Sequence, residues 1–154
     1  MKKSLVVYFS ASGVTRMVAN ELKDVLDGDL FEIVPENKYT SMDLDWTNKN
    51  SRSTIEMHDD ASRPKILNKL TSIDAYENIF IGYPIWWDLP PRIINTFIEE
   101  NNLTNKNIYL FATSGGSDIQ ESFNYLKNKY PNLHFIDGKL LNRYNVDSIK
   151  EIIE

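Results

Sequence analysis

The stretch from Ser4 to Thr15 reads SLVVYFSASGVT and decides the fold. Its apolar run, Leu5 to Phe9, leads directly into a short serine-rich turn, and a helical pattern begins at Val14. An apolar run without polar alternation is typical of a strand that is buried on both faces of a parallel sheet. The stretch therefore predicts the first strand, turn and helix of an α/β protein.

The same succession recurs along the rest of the chain. Helically spaced apolar residues separate the runs, and the last such group, Val146 to Ile153, predicts a closing helix. Regular alternation of strands and helices predicts a three-layer, doubly wound α/β fold with five parallel strands in the order 2-1-3-4-5, in which ligands bind beyond the carboxyl ends of the strands. We predict the strands at Leu5–Phe9, Leu30–Val34, Ile79–Tyr83, Ile108–Ala112 and, in a less apolar run, Leu133–Ile136.

Composition excludes several classes of protein. The chain has 154 residues, a formal net charge of −5 at pH 7 and no cysteine, which rules out thiol catalysis and cysteine-bound metals. Its length predicts a single domain over residues 1–154. No apolar run approaches the roughly 20 residues of a membrane helix, and the mild acidity disfavours nucleic acid. We expect a cytoplasmic protein without a membrane or nucleic-acid partner, and no metal site, because His58 and His134 are far apart in sequence.

A long polar segment interrupts the alternation after the second strand. This inserted segment, Pro35 to Pro64, spans about 30 residues where two to six are usual. It is rich in Asn, Ser, Asp and Thr, yet it also holds Trp46, Arg52 and Met57. We predict that it forms a functional lid, a poorly ordered segment, or both.

Four charged or polar side chains are assigned structural rather than functional positions. Arg52 and Glu56 have the i, i+4 spacing of an exposed ion pair on a short helix. Tyr83, at the end of an apolar run, is predicted to lie in the core. Arg92, at the start of a predicted helix, is predicted to be a surface charge.

The turn after the first strand has the chemistry of an anion site. Hydroxyls at Ser10, Ser12 and Thr15 meet in a tight turn, Gly13 permits a close approach of the backbone, and a helix begins at Val14 with free amide groups. The alternative is that the hydroxyls only cap this helix. The turn lacks the Gly-Lys-Ser/Thr ending of a nucleotide P-loop and the three glycines of a dinucleotide site.

Two further loops follow the third and fourth strands. The first of them carries the adjacent pair Trp86 and Trp87, which could pack against a planar ligand or simply cover the helix that begins near Pro91. The second, from Thr113 to Asp118, reads TSGGSD and on its own is a generic strand-to-helix turn.

Together, these three loops resemble those of the flavodoxin family, in the branch with Ser-x-Ser/Thr-Gly-x-Thr, Tyr-Pro-Ile-Trp-Trp and Thr-Ser-Gly-Gly-Ser motifs. The resemblance spans nearly the whole chain and implies a bound FMN. It implies that the FMN phosphate is held by Ser10, Ser12, Gly13, Val14 and Thr15. It implies that the isoalloxazine ring is lined by Pro84, Ile85, Trp86 and Trp87, and its pyrimidine side held by Thr113, Ser114, Gly115, Gly116 and Ser117.

The sequence departs from the family pattern at two places. Asp88 stands where relatives often have a glycine whose peptide can hydrogen-bond the flavin, and the Gly115–Ser117 stretch offers no aromatic ring for the outer flavin face. Small size and acidity favour a low-potential electron carrier that works with a reductase and an acceptor protein. The absence of an aromatic ring in the third loop, together with the inserted segment, favours instead an NAD(P)H or quinone reductase with a small-molecule acceptor. A partner-binding module without flavin is the third hypothesis.

Overall fold

A computed structural model describes residues 3–114 and 116–153 of the chain. Five parallel strands form one sheet in the order β2-β1-β3-β4-β5, which confirms the predicted topology. The strands are β1 Ser4–Tyr8, β2 Asp29–Glu32, β3 Asn78–Pro84, β4 Asn107–Thr113 and β5 His134–Leu140. The helices are α1 Val14–Leu26, α2 Arg52–Met57, α3 Arg92–Glu100 and α4 Gln120–Lys129, followed by a 3₁₀ helix, Val146–Ile152.

Two apolar layers sandwich the sheet. Alternate residues of β1 face opposite sides: Leu5 packs with α3 and α4, whereas Val6 packs with α1 and the 3₁₀ helix. Both layers are fully buried, as expected for central strands of a doubly wound sheet. Gly82 in β3 cannot be replaced by a larger residue without displacing Phe111, because a Cβ there would lie 2.0 Å from Cζ of Phe111.

The edge elements differ from their predicted bounds. β5 continues to Leu140 because its pairing with β4 carries on past an irregularity at Ile108 and Tyr109. Its polar residues are tolerated because an edge strand is open to solvent on one side. β2 ends at Glu32, since Val34 leaves the sheet and its amide donates to Asn68 Oδ1 at 3.1 Å.

The closing helix is a 3₁₀ helix rather than an α-helix. Val146, Ile149 and Ile152 are spaced by three, so three residues per turn align them on one side. Val146 and Ile149 are buried against α1. Among the helices of the described residues, none has the length and apolarity needed to cross a membrane.

Arg92 is buried, so the prediction of a surface charge was wrong. Only 3% of it is exposed. Its guanidinium donates to the carbonyl of Met57 at 2.7 Å and that of Glu56 at 3.3 Å, and it meets Asp60 Oδ1 at 3.3 Å. The inserted segment covers the start of α3, and its carbonyl oxygens replace the water that would otherwise solvate the guanidinium.

Candidate functional site

Three loops meet at the carboxyl edge of the sheet because β1, β3 and β4 are neighbours. The first loop is residues 9–13, the second 85–91 and the third 114–119. A buried hydrogen bond of 2.8 Å joins the hydroxyls of Thr15, in the first turn of α1 after the first loop, and Thr113, the last residue of β4 before the third loop. The amide of Ile85 donates to the carbonyl of Thr113 at 3.2 Å, which ties the second loop to the third.

The first loop presents an uncapped helix start. Gly13 has φ +97°, and its amide donates to Ser10 Oγ at 3.0 Å. No side chain of the described residues caps α1, and its first turn holds no acidic residue. The first amides of an α-helix have no partner within the helix and carry partial positive charge, so those of Val14 and Thr15 are suited to an anion. The Thr15 hydroxyl itself is committed to Thr113.

The second loop is a tight turn in which the two tryptophans have different surroundings. Trp86 and Leu89 exchange two backbone hydrogen bonds of 2.9 Å, and Trp87 and Asp88 between them have φ +49° and +64°. Positive φ at both central residues is the pattern of a type I′ turn. It is strained for a side chain as large as tryptophan, and such strain clusters at functional sites.

Trp86 is half-buried, whereas Trp87 is 39% exposed. The Trp86 ring packs edge-on against Phe9 and Tyr39, at centroid distances of 5.8 and 5.5 Å. Trp87 meets the His58 ring edge-on at 5.9 Å. Trp86 thus belongs partly to the core, while Trp87 remains available to a ligand.

The Ser114 side chain holds the start of the third loop. Ser114 Oγ accepts hydrogen bonds from the amides of Gly116 at 3.1 Å and Ser117 at 2.7 Å. These are amides that the family resemblance assigns to the pyrimidine side, so a ligand there would have to compete with Ser114. Gly115 lies outside the described residues.

A cavity of about 320 Å³ lies beside the first and second loops. Its volume falls at the lower end of the usual range for small-molecule sites, about 300–1,000 Å³. It brings together one predicted residue of the first loop and all four of the second, but none of the described third-loop residues. Its lining is Ala11, Ser12, Leu44, Trp46, Ser53, Pro84, Ile85, Trp86 and Trp87.

The inserted segment therefore supplies part of this cavity. Of its lining residues, Trp46 stood out in the sequence as an aromatic in a polar segment, whereas Leu44 and Ser53 carried no signal. Neither belongs to a motif, and only the folded path of the segment brings them to the first and second loops.

A cluster around Tyr39 holds the inserted segment in place. The Arg52 guanidinium lies 3.7 Å from the centre of the Tyr39 ring and bonds Glu56 at 2.9 Å. The predicted i, i+4 pair is therefore confirmed, but its predicted exposure was wrong, because packing against Tyr39 leaves the pair partly buried. The Tyr39 hydroxyl donates to the same carboxylate. Burial, together with Glu56, raises the pKa of Tyr39 far above its ordinary value, so the phenol stays protonated and keeps donating.

Ser53 has a buried hydroxyl beside the cavity. Only 2% of the residue is exposed, and its Oγ has no hydrogen-bond partner among residues 3–114 and 116–153. A buried hydroxyl without a partner is costly. An apolar slot with an orphaned hydroxyl at its wall and uncapped helix amides nearby suits a planar aromatic ligand with polar edge atoms and an anionic tail, and FMN has this chemistry.

The comparisons with known proteins agree with this geometry. The sequence profile of the flavodoxin family matches residues 3–154. A search of curated proteins found no match.

The solved structures similar to this chain include two candidate flavoproteins from Bacteroides. That of Bacteroides eggerthii DSM 20697 is 52% identical with a TM-score of 0.95, covering 98% of this chain and 95% of the other. That of Bacteroides uniformis ATCC 8492 is 46% identical with a TM-score of 0.94, covering 97% and 98%. A flavoprotein in complex with FMN from Lactobacillus acidophilus NCFM shares the fold at 23% identity, with a TM-score of 0.78 and coverage of 96% and 98%. The chain belongs to the flavodoxin family.

Proposed function

We propose that this chain binds FMN and acts as an electron carrier. The observation that carries the proposal is the cavity between the Trp86–Trp87 turn and the inserted segment, next to the uncapped start of α1. Membership of the flavodoxin family supports it. Bound FMN supplies one- and two-electron redox chemistry.

Different residues of this chain would bind the phosphate and the ring of FMN. The phosphate would be held by Ser10, Ser12 and the amides of Val14 and Thr15, because a helix N-terminus favours negative charge. The Gly13 amide donates to Ser10 Oγ and would join them only after that hydrogen bond breaks. Ser12 also lines the cavity, which joins the phosphate loop to the ring slot. The ring would pack against Pro84, Ile85, Trp86 and Trp87. The third loop would donate amide hydrogen bonds once its own hydrogen bonds to Ser114 Oγ are broken.

The charge of the chain favours a carrier over a reductase. The net charge of −5 supports docking to basic faces of a reductase and an acceptor protein. A cytoplasmic location is part of this proposal.

One observation favours the second candidate, an FMN-dependent NAD(P)H or quinone reductase. Trp46 lines the cavity and is nevertheless 73% exposed. Because so little of the protein packs on it, its side chain could move aside and admit a small-molecule acceptor.

Anaerobic reduction of the FMN-reconstituted protein tests the proposal. A carrier takes electrons from dithionite in two separate one-electron stages and is not bleached by NADH or NADPH alone. Direct bleaching by either nucleotide would contradict the carrier role and favour the reductase. Failure to bind FMN would contradict both and leave a partner-binding module.

A further inference from the structure

The side of the cavity formed by the inserted segment has no assigned role. Leu44 and Trp46 present apolar side chains there, and Ser53, whose hydroxyl has no hydrogen-bond partner among the described residues, also lines the cavity. The third loop has no aromatic residue between Thr113 and Asp118 that could serve as a second ring-facing wall.

Trp46 is unusual because a large aromatic side chain at a cavity is left 73% exposed. Water at its ring is displaced only if something packs against it, and a planar ligand in the cavity would do so. Burial of apolar area is the main favourable contribution to such binding.

The backbone that carries this wall is held in position before any ligand binds. The amide of Ser53 donates to the carbonyl of Asp43 at 2.9 Å, which links the start of α2 to the turn that carries Leu44. The cation–π contact of Arg52 with Tyr39 fixes the same region against the Trp86 ring. A preorganised backbone lowers the entropy cost of ligand contact, because only the Trp46 side chain has to be ordered.

We propose that Trp46 and Leu44 contact the flavin ring from the side of the inserted segment, and that Ser53 hydrogen-bonds a polar atom at the ring edge. This inference rests on the proposed FMN binding. The Ser53 oxygen is covered in its present rotamer, so the contact requires rotation about the Cα–Cβ bond to another staggered position. In this chain, the inserted segment replaces the aromatic wall that the third loop lacks.

Ser53 differs from the hydroxyls next to it. Ser51 Oγ and Thr54 Oγ1 bond each other at 2.9 Å, and Ser51 also accepts from the Thr54 amide. Those two hydroxyls are used within the segment itself. The Ser53 hydroxyl alone among the three is free to serve a ligand.

FMN titration of the wild-type protein and of Trp46→Ala and Trp46→Phe variants tests the aromatic contact. The readouts are the dissociation constant from quenching of FMN fluorescence and the access of iodide to the bound flavin. We expect Trp46→Ala to weaken binding about tenfold, equivalent to about 1.4 kcal/mol, and to increase quenching by iodide, with Trp46→Phe intermediate. Met42→Ala is the matched control, because Met42 is 81% exposed in the same segment but does not line the cavity.

Equal affinity and equal iodide quenching in wild-type protein and Trp46→Ala would overturn the inference while leaving FMN binding intact. A wild-type protein that binds no FMN would instead overturn the proposed function. Loss of affinity in Met42→Ala as large as in Trp46→Ala would also overturn the inference about Trp46, because the effect would then belong to the inserted segment as a whole.

Ser53→Ala tests the polar contact through two opposite effects. Removal of an unpartnered buried hydroxyl should leave the apoprotein as stable as before, or more so, because no hydrogen bond is lost. Affinity for FMN should nevertheless fall several-fold. An unchanged affinity would overturn the assignment of Ser53, and so would a destabilised apoprotein, which would indicate a structural role.

Discussion

The hydrogen bond between Thr15 and Thr113 predicts a measurable coupling between the first and third loops. Its two hydroxyls lie 2.8 Å apart, and the residues are only 1% and 6% exposed. Substitution by valine removes a hydroxyl while keeping the shape of the side chain. Thr15→Val or Thr113→Val alone therefore deletes the bond and leaves the other hydroxyl buried without its partner.

The expected magnitudes follow from this burial. Each single variant should lose about 1–3 kcal/mol of unfolding free energy, mostly from the hydroxyl left unsatisfied. The double variant removes both polar groups and should lose clearly less than the sum of the two, with a coupling energy of at least about 1 kcal/mol. A loss of about 1.5 kcal/mol would lower a urea midpoint by about 0.5–1.5 M.

Urea unfolding of the wild-type apoprotein, both single variants and the double variant supplies the assay. Thr96→Val is the matched control, because Thr96 is also a buried hydroxyl, with its bond to Arg92 inside α3. Combined with Thr15→Val, it should give additive losses. If Thr15→Val and Thr113→Val were themselves additive to within about 0.5 kcal/mol, the two hydroxyls would not be coupled and the reasoning would be refuted.

Three further predictions concern single residues. Arg92→Met should lower the unfolding free energy by about 2 kcal/mol, because it leaves the Met57 carbonyl without its donor; an unchanged urea midpoint would contradict this. Hydrogen bonds, the largest from Lys129, lower the pKa of Asp60 to about 2 from its ordinary 3.8, so its stabilising effect is complete above pH 4 and lost as pH falls towards 2. The thermal unfolding midpoint should depend less on pH across this range in Asp60→Asn than in the wild-type protein. An equal pH dependence would count against this role of Asp60. Asp88→Gly should raise the urea midpoint of unfolding slightly, because glycine adopts the φ of +64° without strain. A lower urea midpoint would argue against strain at this position.

The central architecture could be predicted from the sequence because its signals are local and redundant. β1, β3 and β4 carry continuous apolar runs along most of their length, and only a sheet covered on both faces buries such runs. The turns after them carry their motifs in unbroken stretches, so their meeting at one edge follows from the strand order.

The residues that sequence reasoning missed depend on contacts between distant parts of the chain. Leu44 and Ser53 lie in a polar segment without periodicity, and their position at the cavity results from packing around Tyr39. Arg92 has the pattern of a surface charge, and its burial depends on carbonyl oxygens at Glu56 and Met57, which lie 36 and 35 residues earlier. A single sequence contains no local signal for such pairings.

A crystal structure of the protein grown with FMN tests the central claim most directly. The account predicts the ring in the cavity beside the Trp86–Trp87 turn, with the inserted segment on its other side and the phosphate at the start of α1. FMN bound at a different surface, or a cavity without FMN at saturating concentration, would contradict it.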